Sequence, residues 1–331
     1  MVPHSPAALD RSMLSVVVPV YNEEETLPEL RSRLMSVLEE IEFDDFEIVM
    51  VSDGSTDGTD AVIHEMVAAD PRIVGIFLTR NFGHQAAVDA GLHAARGSVV
   101  AVMDGDLQDP PEVIPELINA LDRGADVAYG IRRNRKEGPV KRAAYWSFYR
   151  GLKLISSTDL ALDAGDFCCM TRRVVDAMNR LPESRRFLRG LRSWVGYKQV
   201  GVEYNRDRRY AGKPKYDLVR LFGLAYDGVF SFSSTPIKFM QVIGFATAFL
   251  AGLIGLIYLI LAFFVETPRG FPTVIVSIWF LGGLQLLAFG ILGEYVHRTF
   301  DQTRRRPEAL IREVLRQKEG EEGRRPDEAD A

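Results

Sequence analysis

Three short segments near the start of the chain gather carboxylates and small polar residues: Pro19-Val-Tyr-Asn-Glu-Glu24, Asp53-Gly-Ser-Thr-Asp57 and Asp104-Gly-Asp-Leu-Gln-Asp-Pro110. Converging Asp side chains repel one another unless a hard cation neutralises them, and oxygen ligands suit Mg²⁺ or Mn²⁺. Asp-x-Asp alone is weak evidence, because turns are rich in Asp. Its place at a strand end, with a second acidic turn two strands away, is what strengthens it.

The elements that carry these segments alternate. Leu14-Ser-Val-Val-Val-Pro-Val20 and Phe46-Glu-Ile-Val-Met-Val-Ser52 are apolar runs of strand length, and residues 73–78, 99–103 and 126–130 predict three more strands. Between them, Leu27, Leu30, Leu34, Leu38 and Ile41 recur at helical spacing, and residues 59–69 and 83–95 predict two further helices. Asn22 followed by Glu25 predicts a capping box for the first helix. Such alternation predicts an α/β fold with a mostly parallel sheet, whose ligands sit beyond the carboxyl ends of the strands. All three acidic segments follow strands. No Gly-x-Gly-x-x-Gly follows the first strand, which argues against a dinucleotide site.

Charge divides the 331 residues unevenly. Residues 1–129 hold 7 Lys/Arg against 24 Asp/Glu, whereas residues 130–220 hold 22 against 9. That division fits cation binding first and anion or membrane-surface contact second; the alternative is two solvated faces of one globule. The net charge of −5 argues against a general nucleic-acid binder. Cys168 and Cys169 are adjacent and cannot staple a fold, so a reducing cytoplasmic setting is expected. The first 11 residues lack a hydrophobic signal core.

Two uncharged runs, residues 239–265 and 271–292, are each long enough to cross a bilayer, which takes about 20 apolar residues. Lys238 before them and His297, Arg298 and Arg304-Arg-Arg306 after them put both flanks on the cytoplasmic side and the Glu266-Thr-Pro-Arg-Gly270 turn outside. Residues 217–232 mix apolar and charged side chains as an interfacial segment does. Residues 307–318 predict a short polar helix with Pro at its first turn, before a charged end.

Taken together, Val-Pro-Val-Tyr-Asn-Glu, Asp-Gly-Ser-Thr-Asp and Asp-Gly-Asp-Leu-Gln-Asp-Pro resemble the family 2 glycosyltransferases of the GT-A fold. The wider resemblance, over residues 13–300, is to the polyprenyl-phosphate glycosyltransferases typified by dolichyl-phosphate mannose synthase and bacterial undecaprenyl-phosphate glucosyltransferases. It includes Asn81-Phe-Gly83, Gly165-Asp-Phe167, Phe187-Leu-Arg-Gly-Leu-Arg-Ser-Trp-Val-Gly196, Arg209-Tyr-Ala-Gly-Lys-Pro-Lys-Tyr216 and the two apolar runs. The resemblance implies a tail (residues 1–12), a GT-A domain (13–216), an interfacial amphipathic segment (217–236), a transmembrane hairpin (237–296, with spans 237–265 and 271–294) and a charged cytoplasmic tail (297–331).

It further implies that Pro19, Tyr21, Glu23 and Asp53 hold the donor's base and ribose, and that Asp104, Asp106 and Gln108 hold the metal and donor diphosphate. Arg132, Arg209 and Lys215 would receive phosphate groups. Pro214 stands where the family often has Ser or Thr, so a hydroxyl contact is lost there. The implied reaction is inverting transfer of a hexose, UDP-glucose being the favoured donor, to polyprenyl phosphate. Its setting is the cytoplasmic face of the plasma membrane, and the enzyme a homotetramer.

The acceptor phosphate has a second pKa near about 6, so it is largely dianionic at neutral pH and hardly needs a base. It does need positive charge to hold it, for which a rigid guanidinium such as Arg209 is suited. Asp166, in the Gly165-Asp-Phe167 turn, is then either a base for a monoprotonated acceptor or a group that orients Arg209 or a sugar hydroxyl. Rival functions lack their marks. A processive polysaccharide synthase would carry Gln-x-x-Arg-Trp, and a nucleotidyltransferase a Gly-rich basic loop where Tyr-Asn-Glu-Glu-Glu stands. A non-catalytic nucleotide-sugar binder is separated from an enzyme by turnover.

Overall fold

The computed structural model describes residues 8–133, 164–183, 186–205, 235–261, 270–304 and 306–317. Arg209, Pro214, Lys215, the expected interfacial stretch before residue 235 and most of the expected outer turn lie outside them. Two compact units are present. Among the described residues the first holds eight strands in one sheet, ordered β7-β5-β6-β4-β1-β2-β3-β8. They are β1 (Leu14–Val20), β2 (Phe46–Ser52), β3 (Ile73–Leu78), β4 (Val99–Val102), β5 (Val127–Arg132), β6 (Ala164–Thr171), β7 (Gln199–Tyr204) and β8 (Ile311–Leu315).

The first four strands are parallel to their sequence-derived neighbours. Their near-continuous apolar runs are buried, as strands covered on both faces require. Helices α1 (Leu27–Glu40), α2 (Thr59–Ala69), α3 (His84–Ala94) and α4 (Ile114–Asp122) connect or cover them. Leu27, Leu30, Leu34 and Leu38 of α1 are buried, which is the face their spacing predicts. The expected capping box is absent: α1 starts at Leu27 with Thr26 before it, and Asn22 sits outside in the left-handed region at φ 55°. There its side-chain oxygen accepts the Thr56 amide instead of capping a helix.

The sheet departs from simple alternation at β6. It enters antiparallel between β4 and β5, pairing Val99 with Thr171 and Val102 with Cys168. Extending that register by two residues brings Asp104, just past β4, level with Asp166. Gly165-Asp-Phe167 is therefore strand, not the expected turn. Two short helices follow, α5 (Arg172–Asn179) and α6 (Leu188–Trp194). β7 runs parallel to β5 and sets Tyr204 beside Arg132.

The helix expected over residues 307–318 is not formed by the described residues 307–317. β8 lies antiparallel on β3, pairing Phe77 with Glu313 and Leu78 with Ile311. An unpaired sheet edge exposes backbone donors and acceptors, and β8 satisfies them along β3. That long-range partner overrides local helix propensity.

The second unit contains α7 (Thr235–Leu261) and α8 (Phe271–Thr303). Both carry large apolar side chains in the open, such as Phe245 (77%), Phe249 (76%) and Leu286 (73%). Among the described residues, one stretch, Phe280–Thr303, is long and apolar enough to cross a membrane.

Candidate active site

The carboxyl ends of β1, β2 and β4 meet in one group of loops. Asp53 is buried, and its amide donates to Val20 O at 2.9 Å. Its two carboxylate oxygens accept the amides of Phe82 (2.7 Å) and Gly83 (3.0 Å), tying the Asn81-Phe82-Gly83 loop to the end of β2. Burial raises the Asp53 carboxyl, and those two amides oppose the rise. Gly54 allows the loops to close. It has φ 62°, and a Cβ there would lie 2.3 Å from Arg80 C. Asn22 and Thr56 bond reciprocally, while the Glu23 amide donates to Thr59 Oγ1 at 2.9 Å. Pro19, Tyr21, Glu23 and Asp53 thus share one edge, with Pro19 paired to Val51 in the sheet.

Beyond β4, the Asp104–Asp109 turn is shaped by Leu107, which is buried with φ 56°. Asp106 Oδ1 accepts the Gln108 amide at 3.1 Å. Asp109 is fully buried and turned away from the loop, where Tyr204 donates its hydroxyl to Oδ1 and Arg132 Nη2 lies 3.3 Å from Oδ2. Arg132 Nε also donates to the Tyr204 oxygen at 3.2 Å. Burial and the Asp109 carboxylate push the Tyr204 phenol above its ordinary value, so it stays a donor. Arg132, expected to meet phosphate, is thus first a partner of Asp109 and Tyr204. Its five N–H donors exceed those two uses.

Asp104 Oδ1 is buried without a hydrogen bond, with His84 Nε2 3.6 Å away. Burial raises the Asp104 carboxyl, His84 offsets part of that, and Asp109, Asp166 and Asp106 add to it, pushing it up to about 6. Such crowding suits a cation that one or two carboxylates hold together with substrate phosphates, the usual manner for Mg²⁺. Asp53, by contrast, has one amide bonded to each carboxylate oxygen, those of Phe82 and Gly83. Among the described residues no three His, Cys, Asp or Glu form a complete cage.

Level with Asp104, Asp166 is gripped from α6 and α3. Arg189 binds it with both arms, Nε to Oδ1 at 2.7 Å and Nη2 to Oδ2 at 2.8 Å. His84 Nε2 lies 3.4 Å from Oδ2, between the two carboxylates. Gln85 Nε2 donates to Oδ2 at 3.4 Å while its Oε1 accepts the Leu188 amide at 3.1 Å, linking the starts of α3 and α6. Burial alone would raise the Asp166 carboxyl. The charge and hydrogen bonds of Arg189, with His84, hold it well below the usual carboxylate range. For His84, burial acts to lower the imidazole, but Asp166 and Asp104 outweigh it and hold the ring near about 9.

His84, Gln85 and Arg189 had no role in the sequence reading. Arg189 lies inside a segment singled out by resemblance, Phe187-Leu-Arg-Gly190, and His84 and Gln85 directly follow another, Asn81-Phe-Gly83. The signal available was a polar pair, His84-Gln85, at the start of the helix that follows β3.

A mostly parallel α/β sheet with paired carboxylates at its carboxyl edge fits the GT-A fold of sugar-nucleotide transferases. The sequence comparisons agree with it. The profile of Glycosyl transferase family 2 matches residues 15–178, and the chain belongs to that family. It is 40% identical over 304 residues to the prophage bactoprenol glucosyl transferase homolog of Escherichia coli K12, covering 91% of this chain and 99% of that protein. The bactoprenol glucosyl transferase of Shigella phage SfX is 40% identical over 301 residues, covering 90% and 98%. Among solved structures, glucosyl-3-phosphoglycerate synthase from Mycobacterium tuberculosis covers 69% of this chain and 82% of its own at 19% identity, with a TM-score of 0.44. At that distance no residue role carries across.

Proposed function

We propose that the protein transfers glucose from UDP-glucose to a polyprenyl phosphate, with α7 and α8 spanning the membrane and the sheet on its cytoplasmic side. The observation that carries this reading is the meeting of two clusters: the Asp104–Asp106 turn, and opposite it Asp166 locked between Arg189 and His84. The first suits a departing diphosphate and the second an arriving phosphate. The 40% identity to bactoprenol glucosyl transferases over nine-tenths of the chain supports the choice of sugar and lipid.

In this reading Pro19, Tyr21, Glu23 and Asp53 bind the uridine. Mg²⁺ or Mn²⁺ at Asp104 and Asp106, beside Gln108, would neutralise the leaving diphosphate. Asp166 stays ionised, and its charge is balanced by Arg189 and His84, so the acceptor phosphate does not meet a bare carboxylate. Arg132, Arg209 and Lys215 hold phosphate oxygens. An acceptor phosphate oxygen forms a bond to the anomeric carbon on the face opposite the leaving diphosphate. The bond from that carbon to the diphosphate breaks, and UDP departs with the electron pair. The exposed Phe and Leu side chains of α7 and α8 become lipid contacts, since apolar surface of that extent is not left in water.

The test is turnover by purified protein in detergent with radiolabelled UDP-glucose and undecaprenyl phosphate. Label should pass into the lipid extract and UDP into the aqueous phase. Release of UMP would mean transfer of a whole sugar phosphate and overturn the reading, as would label that never becomes lipid-extractable.

A further inference from the structure

β8 does more than cover the edge of β3. At its start, Arg312 Nη2 donates to Asp60 Oδ2 at 2.7 Å. Asp60 lies in the first turn of α2, and its other oxygen accepts the hydroxyl of Ser52, the last residue of β2, at 2.5 Å. The Ser52 and Ser55 oxygens are 3.0 Å apart. Because the Ser52 proton is committed to Asp60, Ser55 is the donor between them. The Ser55 oxygen in turn accepts the Asn22 amide at 3.2 Å. Every N–H and O–H in this series points toward the Asp60 carboxylate, so each bond polarises the next. The Arg312 charge anchors the series at one end. At the other stands Asn22, whose left-handed backbone turns the chain between Tyr21 and Glu23.

Within β8 itself Glu313 lies 3.5 Å from His64 of α2, and Arg312 also stacks on the Phe77 ring; the further side-chain anchors lie just past the end of the strand and touch none of these loops. Arg316 Nη1 lies 3.0 Å from the buried Glu47 Oε2, near the start of β2, and Gln317 Nε2 donates to Val67 O (2.8 Å) and Ala68 O (2.9 Å) at the end of α2. The strand is held down by Arg316 and Gln317, and Arg312 faces the ligand edge of the sheet.

We infer that Arg312 is a positioning residue for the donor nucleotide, setting the loops after β1 and β2 through Asp60, Ser52 and Ser55. This rests on the reading of those loops as the uridine site. β8 is then a working part of the donor site, acting through Asp60.

The test is a double-mutant cycle on UDP affinity, measured by calorimetry with the full-length protein in detergent and Mg²⁺ present. Arg312→Ala and Ser52→Ala should each weaken UDP binding about fivefold, the loss of roughly 1 kcal/mol. The double variant should be no worse than either alone, because both cut one series of bonds. Arg316→Ala leaves the buried Glu47 without its ion-pair partner and should lower the melting temperature, yet leave UDP affinity within about twofold, because it lies outside the series. If Arg312→Ala does not fold, Arg312→Gln, which keeps a donor, runs the same cycle. Multiplying losses in the double variant, or equal weakening by Arg316→Ala, would overturn the inference while leaving the donor site intact. Wild-type protein that binds no UDP would overturn the donor-site reading and the inference together.

Discussion

Asp166→Asn keeps the side chain's size and removes the charge that Arg189 grips. An amide has one acceptor oxygen where the carboxylate has two, so one of the bonds at 2.7 and 2.8 Å is lost and an N–H is turned toward the guanidinium. Breaking a fully buried pair costs about 3–5 kcal/mol, and the Arg189 side chain is 33% exposed, so a stability loss of about 2–3 kcal/mol is expected. A reacting group displaced by about 1 Å loses roughly 10²-fold in rate. The pH dependence separates positioning from proton transfer. The folded-state pKa of Asp166 is depressed. Its contribution is therefore fully present above the unfolded value of about 3.9 and lost only as pH falls through the lower folded value. Asp166 is ionised throughout the range from about pH 5.5 to 8.5, over which the acceptor phosphate loses its last proton. The ratio of wild-type to Asp166→Asn turnover, at saturating acceptor, should be about 10² and should not shrink as pH rises across that range, since losing Asp166 also lowers the His84 imidazole. A ratio that is large at low pH and shrinks toward high pH would refute this and make Asp166 the base for a monoprotonated acceptor. A flat ratio below about threefold would refute the positioning role as well.

Tyr204→Phe removes the hydroxyl that Asp109 and Arg132 share. The buried carboxylate left short of a donor should cost about 1–3 kcal/mol, read as a fall in melting temperature of roughly 2–4 °C per kcal/mol, and a shift under 1 °C would count against it. Burial pushes the Glu308 carboxyl up to about 7; the Arg186 amide opposes this, Asp89 adds to it and the Arg186 charge opposes it again. The folded state then keeps a proton that the unfolded chain releases, so the Glu308 contribution to stability is greatest below about pH 4.3 and declines as pH rises through about 7. Glu308→Gln should flatten that decline in melts taken from about pH 5 to 8, and an unchanged slope would mean Glu308 is not its source. Chelation should abolish transfer and Mg²⁺ or Mn²⁺ restore it, with Asp106→Asn losing at least about 10²-fold; full activity in excess EDTA would remove the metal from the site.

What the sequence made legible is what lies contiguous in it. β1 to β4 are visible as apolar runs because a parallel sheet buried on both faces needs little else, and the leucines of α1 mark its inner face. The acidic turns stand out because each is one loop at one strand end. Two local rules failed where a distant partner outbid them. Asn22 and Glu25 have the spacing of a capping box, but Asn22 serves the Thr56 amide on the next loop. Ile311-Arg-Glu-Val-Leu315 has the composition of a polar helix, and only the open edge of β3 makes it a strand.

The chemistry of Asp166 belongs to the same kind of information. Its partners lie 81 positions earlier, at Gln85, and 23 later, at Arg189. No spacing rule connects them. They meet because β6 enters the sheet antiparallel beside β4, which brings the start of one strand level with the end of the other. A parallel β6 in that place would have put Asp166 at the opposite edge, away from Asp104 and from the first turn of α3. The reversal of one strand is thus what gives the Asp104–Asp106 turn a second carboxylate facing it, balanced by Arg189 and His84.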